Sequence, residues 1–335
     1  MPNPIKYNKK FDELNEEEKK LLEINKKTIA DFVEQSSSIS DVNYATRNAH
    51  AKTYAAAKGT FVIEPDLPEL LKPFFDREKF DLIIRFSNAR LKIKNSGKDI
   101  PAYGFAVQIM DENGGLLANY PLVNFPLFPL NSVSTFLKLF TAVNTFYMKK
   151  WRSLLPMFFQ IIKMFPYVCT GDMLRNIIKL FRKRNDFILS FDYYSVGAYR
   201  LGDQIIKIKL SPQSVDKNTG RKQKIGDALK SYLQTHDFKA DVLVQICYDL
   251  KDQPINRLNV EWKNSPFIKI GEVRINKNSL LDARDCTNEL LSFNPFESKI
   301  FFQPVGKIQK LRDEAYKVSL QTRRKINKLL HGKNS

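Results

Sequence analysis

The chain has 335 residues, 43% of them hydrophobic, enough for one large domain or two ordinary ones with a sizeable core. A formal charge of +18 at pH 7 suits nucleic acid, an anionic membrane surface or acidic small molecules. The lysines are spread along the chain without zinc-finger spacing, an aromatic RNA-binding motif or a basic heptad region, which sets nucleic acid aside.

The N-terminus is charged, with no apolar stretch of signal-peptide type, so the expectation is a cytoplasmic protein with peripheral contact to a membrane. Residues 3–36 place Leu14, Leu21, Leu22, Ile29 and Phe32 at roughly helical spacing, predicting an arm (residues 1–40) that docks on the main domain (41–335). The stretch 44–61, YATRNAHAKTYAAAKGTF, holds His50, one of three histidines, with Arg47 three residues before it. An imidazole titrates near neutral pH and can move a proton both ways in one reaction cycle.

Strand signals follow at 59–63, 82–88 and 104–110, with turn chemistry at 95–97 and 111–115. Residues 114–137 carry no charge, but three prolines and three asparagines there argue against a membrane span. A buried, irregular segment lining a cavity is predicted instead. Residues 133–185 read as two or three amphipathic helices separated by Pro156 and Pro166. Two readings stand for them: helices packed on a sheet, or a basic, apolar surface that touches lipid or admits an amphipathic substrate. Strands return at 193–199, 204–210, 241–248 and 267–275, with a helix at 225–234 and an irregular or partly helical stretch at 280–291. A long basic helix is predicted over 306–330, with Leu311, Ala315, Val318 and Ile326 on its apolar positions. Cys169, Cys247 and Cys286 are far apart, form no C-x-x-C pair and are expected to be buried free thiols. Strands at short spacing, flanked by helices, predict a single antiparallel sheet or barrel.

Several short segments line up across the chain: Arg47-x-x-His50, Arg85-Phe-Ser87, Gly104-Phe-Ala-Val107, the VNFPLF of 123–128, Phe293-Asn-Pro295, and Arg312-x-x-x-Tyr316 with Arg323 further on. Their order and spacing, over about 44–324, resemble the catalase superfamily of haem proteins, closest to its small catalase-related branch. The resemblance implies an α+β fold: a catalase-like antiparallel eight-stranded β-barrel holding the haem and wrapped by helices. It implies no C-terminal flavodoxin-like domain, and makes 133–185 an apolar, basic helical insertion.

The resemblance also implies roles. Tyr316 would ligate a ferric haem b as a phenolate, the known ligation of catalases, with Arg312 one helical turn away to hydrogen-bond it. Arg47, Arg85 and Arg323 (or Arg324) would pair with the haem propionates. His50 would be the distal acid–base, Asn124 the amide that orients the peroxide, and Ser87 the hydroxyl that fixes the imidazole tautomer. The aromatic that stacks on the haem would fall near Phe136 or Leu137. Two departures stand out: Ala51-Lys52-Thr53 replaces the Ala-Lys-Gly of large catalases, and Ala49 replaces their valine, leaving more room above the iron. The expected function is haem-dependent cleavage of organic or fatty-acid hydroperoxides. The alternatives are a true catalase dismutating hydrogen peroxide, a haem carrier or sensor, and a basic surface-binding module without haem. Expected partners are a peroxide, amphipathic lipid hydroperoxides included, an anionic membrane surface and further copies of the chain.

Overall fold

Alternation of side chains builds the centre of the molecule. In β2 (Lys79–Asn88), Leu82, Ile84 and Phe86 point one way while Arg85 and Ser87 point the other. The structure, a computed structural model that describes residues 3–96, 99–281 and 290–331, contains ten strands in one antiparallel sheet. Eight of them close into a barrel. β1 (Lys52–Ile63) pairs with β2, followed by β3 (Tyr103–Met110), β4 (Leu116–Val123), β5 (Tyr193–Tyr194), β7 (Gln204–Pro212), β8 (Phe238–Ile246) and β9 (Phe267–Ile275), which returns to β1. β6 (Ala198–Leu201) lies beside β7, and β10 (Pro304–Val305) beside β6.

The lumen is filled by side chains from around the ring, among them Phe61, Leu82, Val107, Leu122, Ile208 and Val244. Each contributes about 1.5–3 kcal/mol by leaving water. Among the described residues the lumen lining is apolar apart from the Tyr120 hydroxyl, so the lumen is the hydrophobic core and the outer wall is the larger binding surface.

Two stretches depart from the sequence reading. β1 begins at Lys52, seven residues before the predicted strand, and is in register with β2 over almost its whole length. Its first half is alanine-rich, without the β-branched residues that announce a strand. Residues 116–123, expected to be irregular, form β4 despite Pro121. The Asn119 N–H points away from β3, to the Ser298 hydroxyl, and Pro121 has the same parity. The missing proline N–H therefore costs the β3–β4 ladder nothing.

The N-terminal arm is α-helical only from Glu16, after a single 3-10 turn at Lys9–Phe11. Asn15 and Glu18 form a reciprocal cap that starts α1 (Glu16–Glu34) there. Before the cap, residues 5–7 run extended and bond the barrel through Ile5 N–H to Cys247 O and Tyr7 N–H to Asp203 O. α2 (Ser36–Ile39) follows α1. The connection from β4 to β5 carries α3 (Val133–Lys149), α4 (Leu154–Val168) and α5 (Gly171–Arg182). Their breaks fall at Lys150, whose φ is +50°, and at Cys169–Thr170, not at the prolines. Pro156 sits in the first turn of α4, where no intrahelical N–H is lost, and Pro166 is tolerated near its end. α6 (Ile225–Thr235) packs on β1, and α7 (Lys307–His331) closes the described chain. Cys247 is buried as expected, Cys169 is exposed, and Cys286 and most of 280–291 lie outside the described residues.

Candidate active site

The outer wall of the barrel, across β2, β3 and β4, is made of small side chains. Arg85 and Ser87, Gly104 and Ala106, Pro121 and Val123 face outward at every second position. Between them, Phe86, Phe105 and Leu122 point into the core. Over this wall lies a cavity of about 150 Å³, closed on the other side by one face of α7: Arg312, Ala315, Tyr316, Ser319, Leu320 and Arg323. Their spacing of three, four, seven and eleven residues keeps them on a single helical stripe.

The segment before β1 brings His50 to the cavity. Its backbone takes a left-handed turn, φ +50°, rare for a residue with a side chain. Arg85 holds the turn by donating Nη2 to the His50 carbonyl at 2.6 Å and Nε to Thr53 Oγ1 at 3.0 Å. The imidazole Nδ1 lies 3.1 Å from Ser87 Oγ. Gly104 allows this approach, because a β-carbon there would sit 2.6 Å from Ser87 Oγ and 2.8 Å from His50 Nδ1. The segment is also tied to its surroundings by asparagines. Asn327 of α7 accepts from the Ala45 N–H at 2.8 Å and donates to the Ala45 carbonyl at 3.0 Å. Asn48 donates to Asn144 of α3 at 3.0 Å.

A third stretch seals the cavity edge. Leu291, Ser292 and Phe293 line it, and Arg47 donates to the Leu291 carbonyl at 2.6 Å. The buried Asn294 donates to Asp313 of α7 at 3.0 Å and receives Asn119 of β4 on its carbonyl at 2.9 Å, bracing helix against barrel.

Burial pushes the His50 imidazole down to about 3, helped by the nearby charges of Arg85 and then Arg312. The ring's partial exposure is to the cavity itself; protein surrounds it on the remaining sides. His50 is therefore neutral at working pH, one nitrogen engaged with Ser87. The Arg312 guanidinium lies 5.8 Å from the centre of the Tyr316 ring and donates Nη1 to Gln309 at 2.8 Å. Arg323 donates Nη1 to Ser319 at 2.8 Å.

Arg47, His50, Arg85, Ser87, Arg312, Tyr316 and Arg323 thus meet around one cavity. Arg324 is exposed, which leaves Arg323 as the inward arginine of that pair. Asn124 does not join them. Its side chain accepts the Tyr103 N–H at 2.8 Å and donates to the Pro101 carbonyl at 3.1 Å, and Val123 lines the cavity in its place. The amide is occupied in fixing the approach to β3. Phe136 and Leu137 do not line the cavity either. Phe136 stacks on Phe140 at 4.4 Å, and Leu137 is buried in a cluster with Leu22 and Leu311. Among the described residues, the phenyl ring that lines the cavity is that of Phe293, already conspicuous in the Phe-Asn-Pro motif. Asn144 and Asn327 carry no signal in the sequence, because their partners lie far away along the chain, whereas Asn294 stands inside the Phe-Asn-Pro motif.

The lining has a clear chemical preference. Among the described residues, four guanidinium groups and no carboxylate face the space, and the barrel side apart from Arg85 is built of small side chains. A flat, largely apolar molecule carrying two carboxylates fits such a slot, with cations for its acids and small side chains against its face.

Solved structures with the same architecture are catalases. A fungal catalase superposes with a TM-score of 0.60 at 15% identity, covering 84% of this chain and 60% of its own. Catalase A from Saccharomyces cerevisiae gives 0.59 at 16% identity, covering 84% and 62%, and a bacterial catalase 0.60 at 16%, covering 87% and 59%. The chain has the catalase fold. It spans about 60% of the length of these catalases. No family model matches the sequence, and no curated protein matches it. At such identity the catalase fold is what the likeness carries; the chemistry rests on the site.

Proposed function

We propose that the chain is a haem-dependent enzyme that cleaves the O–O bond of hydroperoxides, with organic or fatty-acid hydroperoxides as substrates. The observation that carries this reading is that His50, next to β1, and Tyr316, on α7, line one slot whose charged groups, among the described residues, are four arginines. Tyr316 would ligate haem b, Arg312 would support its phenolate, and Arg47, Arg85 and Arg323 would meet the propionates. When bound, the ferric porphyrin supplies the redox-active Lewis acid for O–O cleavage.

The chain's own residues supply proton handling. The neutral His50 ring accepts the hydroperoxide proton and returns it to the departing oxygen, which leaves as an alcohol or water. Ser87, 3.1 Å from Nδ1, orients the imidazole for both transfers. Asn124, with its amide committed to backbone, takes no part. Ala49, exposed at the cavity, leaves room beside His50 that a branched side chain would fill, which favours a bulky substrate over hydrogen peroxide.

Two measurements test the reading. Titration with haemin should give a saturable Soret band, altered in Tyr316→Phe. With haem bound, His50→Ala should keep the band and lose about 10²–10⁴-fold in hydroperoxide cleavage. Cleavage indifferent to His50→Ala would leave a haem carrier. Rapid oxygen release from hydrogen peroxide, with no reaction towards a fatty-acid hydroperoxide, would make the protein a true catalase.

A further inference from the structure

The helices α4 and α5 are apolar where nothing covers them. α4 buries none of its fifteen residues, and Leu155 and Phe165 are 68% and 67% exposed. Phe158, Phe159, Ile161 and Ile162 are exposed beside them. In α5, Leu174, Ile178 and Phe181 recur four and three residues apart as an exposed apolar stripe. Arg175, Lys179 and Arg182 repeat the same spacing one position on, as a parallel basic stripe. Leaving this much apolar surface in water is costly and marks an interaction site.

We infer that α4 and α5 form an amphipathic anchor that lies in the headgroup layer of an anionic phospholipid bilayer. Three observations favour a bilayer over a protein partner. First, the face is charge-complementary to anionic lipid: between residues 150 and 184 stand eight lysines and arginines and one carboxylate, Asp172. Second, apolar and basic residues run in adjacent stripes, the arrangement by which an interfacial helix sinks its apolar side while cations meet phosphate. Third, α4 is too short to span. Its fifteen residues extend about 22 Å against a hydrocarbon core of about 30 Å. α4 and α5 meet at a bend of 106°, and no single helix among the described residues is long and apolar enough to cross. Together the two helices have the length and composition of a broken span, but the sharp bend between them and the basic stripe along α5 suit a pair that lies on a membrane rather than through it.

The anchor connects to the site through α3, whose Asn144 bonds Asn48 at the cavity wall. Docking would hold the slot close to the bilayer in which fatty-acyl hydroperoxides reside. That clause rests on the proposed substrate class; the docking itself does not, since vesicle binding requires neither haem nor turnover.

The test is cosedimentation of the full chain with vesicles of phosphatidylcholine alone or mixed with phosphatidylglycerol. Binding to the mixed vesicles, weakened by salt and much lower on phosphatidylcholine, is expected. Lys179→Gln with Arg182→Gln should lower the partition coefficient about 25-fold, at about fivefold per cation. Phe158→Ser with Phe165→Ser should lower it by at least about tenfold per side chain. All four positions are exposed, and unchanged circular dichroism and melting confirm folding. Absence of binding to mixed vesicles at low salt, or binding that neither pair of substitutions weakens, overturns the inference. So does self-association abolished by the phenylalanine pair without vesicle binding, which would make the face a contact between copies.

Discussion

Gly104→Ala is the sharpest probe of the site, because it adds one methyl group at a position whose surroundings are known. The new carbon would stand 2.6 Å from Ser87 Oγ and 2.8 Å from His50 Nδ1. Both distances are roughly 0.8 Å inside van der Waals contact. β3 cannot yield, since Gly104 pairs with Ser87 on one side and Val123 on the other. The imidazole or the serine hydroxyl must move instead, and the 3.1 Å contact between them is lost. Displacing a catalytic group by about 1 Å costs on the order of 10²-fold in rate. Overpacking should lower stability by about 1–3 kcal/mol. The side proposed to hold haem, Tyr316 and Arg312, is untouched, so the Soret band should persist while hydroperoxide cleavage falls about 100-fold. Stopped-flow rates on haem-loaded protein read this directly. Ser87→Ala removes the closest clashing atom but leaves the His50 ring 2.8 Å away, so the double variant should remain slower than Ser87→Ala alone. Wild-type cleavage by Gly104→Ala with an unchanged spectrum would refute the placement of His50 as the proton carrier.

Three further outcomes follow from the same geometry. Asn124→Ala strips partners from the Tyr103 N–H and the Pro101 carbonyl and should cost about 1–3 kcal/mol in denaturant unfolding; a peroxide orienter would instead show a large rate loss at unchanged stability. Asn327→Ala leaves both backbone groups of buried Ala45 without their side-chain partner and should destabilise by roughly 2–4 kcal/mol; a loss under 0.5 kcal/mol in the same assay would contradict the tie between α7 and the His50 segment. The haem-free protein should lose stability on acidification, because His50 takes up a proton near 6.5 when unfolded but only near 3 when folded. The slope from this one group is about 1.4 kcal/mol per pH unit between those values and zero above them, and His50→Gln should remove it from melts recorded across that range.

Sequence patterns revealed the parts of the fold that obey local rules. β2 and β3 alternate along the strand, and α7 shows its apolar positions at helical spacing. β1 and β4 were hidden for opposite reasons. β1 is alanine-rich in its first half, and β4 carries a proline that only its neighbours make harmless. The helix breaks at Lys150 and Cys169 leave no proline signature. At the site, residues in rigid motifs were legible: His50, Ser87, the cavity arginines and Tyr316. An asparagine near Pro126 can face a ligand or bind backbone, and in the fold Asn124 bonds backbone. Counting from Asn124 places the stacking aromatic near Phe136 or Leu137, yet the phenyl ring at the slot, Phe293, arrives from a distant loop that Asn294 pins to α7.

The location of the slot follows from the barrel's own requirements. A closed antiparallel barrel must fill its lumen, so every second residue of β2, β3 and β4 is large and apolar. Phe86 and Phe105 meet edge to face with their centroids 4.8 Å apart. The intervening positions are then free of the core, and here they are serine, glycine, alanine, proline and valine. A smooth outer wall results at no expense to packing, and α7 needs only small residues, Ala315 and Ser319, opposite it to leave a gap. The same logic shows how strictly register controls the chemistry. A one-residue slip of β3 against β2 would turn Phe105 outward, onto the position from which Gly104 receives the His50 ring. The core would lose an aromatic and the slot would close in one step. Stability of the barrel and openness of the cavity are therefore set by the same alternation, and selection for the first preserves the second.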